Sequence, residues 1–175
     1  MDKLFDGVDD MNPMLKKLVD QEFMTEAFAN YIEEAVANKD SFIVSGHKGW
    51  GILPLFATIG AVAKANSSMK QVKSFEDLAD EAGYYLIGDL KDIDYAKLIT
   101  DAMSKPNASM ICLKDPDHPY SFLKLIGDVY KANGDTSKTY QVLECDKIND
   151  EKKLVKITKI TLNEKGRPVK VDFKG

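Results

Sequence analysis

From Ile52 to about Ala65 the chain reads ILPLFATIGAVAKA, a helical stretch apolar on nearly every face. A helix of that kind has to be buried, so the fold must supply cover for it. Pro54 fits within its first turn, where the missing N–H costs nothing. The preceding residues narrow the choice. Ser41-Phe42-Ile43-Val44-Ser45 reads as a short buried strand, followed by a glycine-rich turn, Gly46-His47-Lys48-Gly49-Trp50-Gly51. Strand, turn and buried helix in that order are the opening of an α/β unit.

The rest of the pattern agrees. Over 24–37, Met24, Phe28, Ile32, Ala35 and Val36 fall at helical spacing with Glu26, Glu33 and Glu34 opposite, and Thr25 is the cap. Segments 71–75 and 84–87 are predicted strands on either side of an acidic stretch, 76–81. Segment 92–103 is a predicted helix capped by Asp92, and 108–113 a strand. Asp117-His118-Pro119 is expected to start a helix with Phe122, Leu125, Ile126 and Val129 on one face. The order β-turn-α-β-β-α-β-α predicts an α/β fold with a mostly parallel sheet covered on both faces. After Asn133-Gly134 three strand-like runs, 139–145, 154–162 and 169–173, follow across polar turns and predict an antiparallel β-meander. Val169, Val171 and Phe173 alternate with Lys170, Asp172 and Lys174, so the last strand is expected to be half exposed. The organisation is one domain over 1–175, with N-terminal helices to residue 40, an α/β core over 41–133 and the meander over 134–175.

Composition removes several function classes. The formal net charge is −4, against bulk electrostatic binding of nucleic acid. No apolar run approaches the roughly 20 residues of a membrane span, and the acidic start MDKLFDGVDDMNP lacks a signal-peptide core, so a cytoplasmic protein without membrane insertion is expected. Cys112 and Cys145 form no CxxC pair and read as buried reduced thiols. Arg167 is the only arginine among 24 basic residues. Any chemistry that needs a guanidinium clamp would have to use that one residue.

Gly46 and Gly51 have the G-x-x-x-x-G spacing of a phosphate-binding loop, and the helix beyond them presents free N–H groups. The two chemical positions after Gly51 differ from that motif. Ile52 stands where lysine would reach phosphate, and Leu53 where Ser or Thr would hold Mg²⁺. Lys48 lies inside the loop instead, and Trp50 puts an indole there. The bland reading of this loop is a tight turn that needs positive φ. His47 is expected to be exposed. Hydrolase chemistry using His118 with Asp115 or Asp117 has the weaker case, because capping is the simpler account of a histidine before Pro119 at a helix start.

Across nearly its whole length the chain resembles the secretion ATPases, the motors of type IV secretion and conjugation, type II secretion, and type IV and Tad pili. The approach to the loop, from Leu15 through Met24-Thr25-Glu26 and Tyr31 to Gly46, is similar to theirs. Tyr85-Leu86-Ile87-Gly88-Asp89-Leu90-Lys91-Asp92 resembles their Walker B segment, Ser74-Phe75-Glu76-Asp77 their acidic box, and 109–116 the place of their histidine box. The helix from Pro119 and the tail 154–160 follow the family's C-terminal pattern.

The resemblance implies a RecA-like P-loop NTPase core with ATP and Mg²⁺ as cofactors, but the departures are concentrated in the chemistry. Besides Ile52 and Leu53, Asp89 replaces the usual glutamate and Asp115 falls at the histidine position. Glu76 and Tyr84 are separated only by the short stretch 77–83, where the family has several dozen residues including intersubunit arginines. The family's separate N-terminal domain is expected to be missing. Phosphoryl transfer rests on positioning and charge stabilisation, and an arginine finger alone is worth on the order of 10³–10⁵ in rate. The expectation is a catalytically inactive relative without cofactor or metal. Glu76, Asp89 and Asp115 would be vestiges and Gly46–Leu53 a degenerate phosphate loop. Such a chain would act as a scaffold or regulatory partner in a type IV secretion, conjugation or pilus system, docked on an active ATPase or the apparatus, and its oligomeric state is open. The alternative is a functional nucleotide-binding protein or ATPase with a non-standard loop, Lys48 gripping phosphate and Glu76 or Asp89 holding metal.

Overall fold

The computed structural model describes residues 11–175; the first ten residues of the acidic start lie outside the described residues. The elements are α1 (Pro13–Asp20), α2 (Glu26–Ala37), β1 (Ser41–Ser45), α3 (Ile52–Asn66), β2 (Met69–Val72), β3 (Tyr84–Ile87), α4 (Tyr95–Met103), β4 (Ser109–Lys114), α5 (Phe122–Asn133), β5 (Tyr140–Ile148), β6 (Glu151–Leu162) and β7 (Pro168–Phe173). All seven strands join one mixed sheet in the order β2-β3-β4-β1-β5-β6-β7. Strands β2 to β5 are parallel, and β6 and β7 are added antiparallel. The α/β class and the mostly parallel sheet are therefore as expected. No helix of the described residues is long and apolar enough to cross a membrane.

Helices α1, α2 and α3 pack together on one face of the sheet, and α4 and α5 pack on each other. Strand alternation assigns the two layers. Leu86 meets Gly60 of α3. The neighbouring Tyr85 points the other way, and its hydroxyl donates to Asp80 O at 2.7 Å, in the segment that packs against α4. Phe42, Ile43, Val44, Ile111, Cys112 and Leu113, in the two central strands, have no accessible surface. Both thiols are buried, and burial pushes each up to about 12.

Several element boundaries differ from the sequence reading, each for a local reason. The meander's first strand belongs to the parallel core, because β5 runs alongside β1 from Ser41↔Tyr140 to Ser45↔Glu144. The predicted strand 71–75 ends at Val72. Ser74 and Asp77 close a reciprocal capping box, which turns Phe75–Ala79 into a 3₁₀ segment. Asp94, not Asp92, caps α4 by accepting from Lys97 N–H at 3.1 Å, while Asp92 takes a left-handed φ of 57°. Helix α5 starts at Phe122 under Ser121, not at His118. A residue before proline is pushed out of the helical region, so Pro119 delays the helix. Helix α3 is buried along one broad face only, with Leu53 at 38% exposure. On the edge strand β7, Val169 and Val171 are both exposed. Phe173 alone among its apolar residues packs inward, stacked on Tyr31 with ring centroids 4.8 Å apart.

Candidate functional site

The connections after β1 and β4, which are neighbours in the sheet, leave for opposite layers: β1 leads to α3 and β4 leads to α5. Adjacent strands whose connections diverge open a crevice at their carboxyl ends, the usual ligand position in open α/β sheets. Three loops meet there, carrying Gly46–Gly51 after β1, Asp89 after β3 and Asp115–His118 after β4.

The first loop is shaped by its backbone. Gly46 and Gly51 have φ of 145° and 90°. A β-carbon on Gly46 would lie 2.9 Å from Cys145 O, and one on Gly51 2.6 Å from the Phe23 ring. Both positions thus require glycine for conformation and for space. Gly49 has open space around it. Lys48–Trp50 forms a 3₁₀ turn closed by Trp50 N–H donating to His47 O at 2.9 Å. His47 is exposed as expected, and its ring lies 4.2 Å from the indole of Trp50. Ile52 is fully buried, and Leu53 points its apolar side chain outward. Pro54 removes a third amide from the start of α3, leaving Ile52 and Leu53 as its free donors. A groove of about 440 Å³ beside that helix start is bordered by Glu22, Asp150 and Glu151, with Lys152 as its one lining cation.

Lys48 turns into the crevice. Its Nζ lies 2.8 Å from Asp117 Oδ2 and 3.0 Å from Asp89 Oδ2. Hydrogen bonds to these carboxylates, Asp117 first, raise the lysine pKa, and the same ammonium lowers that of Asp117. The loop's one cation is thus already neutralised inside the protein.

The loop after β4 is more densely bonded. Asp115 Oδ1 accepts from the backbone N–H of Asp117 (3.1 Å) and His118 (2.9 Å), and lies 2.8 Å from His118 Nδ1. The Asp115 side chain is completely buried, and its Oδ2 has no partner. On its far side the buried His118 ring places Nε2 2.8 Å from Leu90 O and 3.5 Å from Asp89 Oδ1. Tyr95 supports the ring from α4, with centroids 4.2 Å apart, and its hydroxyl ties two strand ends by donating to Ile87 O and accepting from Leu113 N–H. Burial first of all raises the pKa of that phenol.

Among the expected site residues, then, Lys48, Asp89 and Asp115 come together with the glycine loop, and Glu76 does not. Glu76 is exposed on the 3₁₀ segment after the edge strand β2, three strands from β1, which is roughly 14 Å of sheet. His118 is not a helix cap. It belongs to the crevice, as does Asp117. The signal that marks them is two prolines, Pro116 and Pro119, which hold Asp115–His118 as a tight non-helical turn at a strand's carboxyl end. Among the described residues neither ring nitrogen of His118 has a hydroxyl or thiol partner. No family model matches the chain, and no curated protein matches it.

Proposed function

We propose that this chain is a non-hydrolysing domain of P-loop, RecA-like descent that serves as a scaffold or regulatory partner of a type IV secretion, conjugation or pilus apparatus. The observation that carries the loss of catalysis is the internal neutralisation of Lys48 by Asp89 and Asp117. Binding a nucleotide phosphate through Lys48 would require breaking both ion pairs and bringing the anion beside the two carboxylates released. Ile52 and Leu53 supply no side-chain donor and no hydroxyl for Mg²⁺, and Pro54 thins the amides of the helix start. The acidic border of the adjoining groove opposes a triphosphate from the other side. A strand, glycine turn and helix at a sheet crevice support the family reading, while a role through protein partners follows from the resemblance in sequence.

Isothermal titration with ATP and Mg²⁺ is the test. The expected outcome is no saturable heat and no turnover. Micromolar binding with hydrolysis would overturn the reading. A nucleotide-dependent rise in melting temperature that disappears in Lys48→Ala would establish the alternative, a binding loop built around Lys48.

A further inference from the structure

The crevice has a feature that the phosphate-loop reading leaves unused. Both ring nitrogens of His118 face acceptors, Nδ1 with Asp115 Oδ1 at 2.8 Å and Nε2 with Leu90 O at 2.8 Å and Asp89 Oδ1 at 3.5 Å. Nε2, Leu90 O and Asp89 Oδ1 thus converge from the loops after β3 and β4 on a point that a ring proton or a metal ion has to fill. Asp89, Asp115 and His118 each bring one donor atom into a cluster whose atoms lie within 4.8 Å of one another. Behind the ring is a carboxylate that is fully buried and half unpartnered, at Asp115 Oδ2. A buried acceptor left without a partner costs about 1–3 kcal/mol, and more when charged. Four carboxylates surround the place (Asp89, Asp92, Asp115, Asp117) against the ammonium groups of Lys48 and Lys91. The local balance calls for a cation.

We propose that the crevice binds one first-row divalent metal ion of the zinc type, held by His118 Nε2, Asp89 Oδ1 and Leu90 O. Two ligand atoms on a tetrahedral zinc stand about 3.4 Å apart, close to the 3.5 Å between Nε2 and Asp89 Oδ1, while Leu90 O, 2.8 Å from Nε2, has to draw back by about 0.6 Å to reach the same spacing. Asp115 is the positioning carboxylate. It fixes the Nδ1–H tautomer so that Nε2 is free to ligate, the outer partner that metal-bound histidines ordinarily have. Asp89 serves both sides, giving Oδ2 to Lys48 and leaving Oδ1 for the ion. A depression of about 310 Å³ lined by Asp89, Leu90 and His118 lets water complete the coordination. An imidazole in the donor set favours zinc and the later first-row metals over manganese, magnesium and calcium, which prefer oxygen ligands. The ion would fasten the loop after β3 to the loop after β4, and no nucleotide takes part.

The experiment is titration of chelator-stripped full-length protein with Zn²⁺ and, separately, Co²⁺, in the absence of nucleotide. One ion per chain is expected, with Co²⁺ giving visible bands of a low-coordinate N/O site and Zn²⁺ raising the melting temperature. Asp89→Asn and His118→Gln should each weaken Zn²⁺ at least tenfold, and Asp115→Asn by about 10–100-fold. Glu76→Gln should have no effect. Because Asp89 is solvent-facing, its variant tests the site even if the buried His118 substitution unfolds the chain. Absence of saturable binding to folded protein, binding that survives Asp89→Asn, or Mg²⁺ competing on equal terms would each overturn the proposal. So would an NMR titration in which His118 holds both ring protons at neutral pH and does not respond to Zn²⁺, since a proton would then occupy the ion's place.

Discussion

The loops after β1 and after β4 border the same crevice and are built on opposite principles. The β1 loop is defined by its backbone. Two glycines at positive φ shape it, its side chains are an exposed histidine, an indole and two aliphatics, and its single cation is neutralised by carboxylates from the other loops. The β4 loop has no glycine. Its shape comes from side chains, with one carboxylate oxygen collecting two backbone amides and an imidazole. Glycine spacing therefore specifies a path for the chain without specifying chemistry. The groups that can do chemistry here come from the loops after β3 and β4, Asp89 from the first and Asp115 and His118 from the second.

The sharpest way to break this contrast is Asp115→Ala. Three donors lose their acceptor in a buried site, and each buried donor left unpaired costs about 1–3 kcal/mol. We expect a loss near 3 kcal/mol in urea unfolding at neutral pH, with the slope unchanged. A loss under about 1 kcal/mol would put the two loops on the same footing and remove side-chain bonding as the organiser of the second.

What could be read in the sequence follows the same division. The buried helix after Gly51, the Thr25 cap and the strand 41–45 were legible because each is a local pattern of period or capping. Lys48 is legible from the loop's own residues, and Asp89 and Asp115 from the resemblance, but what joins them is not, since each arrives from a separate strand and only the sheet order brings those strands together. His118 was misplaced because two proline effects compete. Proline suits a first helical turn, yet it also bars its predecessor from helical backbone, and the Ser121 cap decides for the later start. The assignment of 139–145 to an antiparallel meander holds on one edge of that strand and misses its other edge. Alternation and polar turns identify a strand but not its neighbour, and β5 pairs with β6 and with β1 at once.

A smaller effect separates backbone from side chain within the first loop. Gly51→Ala forces an L-residue to φ 90° and drives its β-carbon to 2.6 Å from the Phe23 ring, so we expect it to cost about 2 kcal/mol. Gly49→Ala, with open space and no positive φ, should stay within about 0.5 kcal/mol of the parent. Thermal or urea denaturation of the pair reads the difference. Equal costs would mean that the loop's path is not set by the spacing of its positive-φ positions but by the loop as a whole.

The smallest effect crosses from one loop to the other, through Lys48 and Asp117. The lysine holds the Asp117 carboxyl below the ordinary aspartate range, so this contribution is complete above about pH 4 and lost as pH falls through the lowered value. The carboxylates hold Lys48 above the ordinary lysine range, so its contribution is complete below about pH 10 and lost as pH rises through the raised value. Stability from the pair therefore forms a plateau with an acid and an alkaline limb. In Lys48→Ala both limbs should flatten, because Asp117 returns toward its ordinary range. The stability difference between parent and variant, followed by urea midpoints, should be widest at neutral pH and close toward strong acid. Both groups are solvent-facing, so added salt should narrow it further. A difference that stays constant across pH would assign the lysine's effect to packing of its stem, and the two loops would then be coupled by contact instead of by charge.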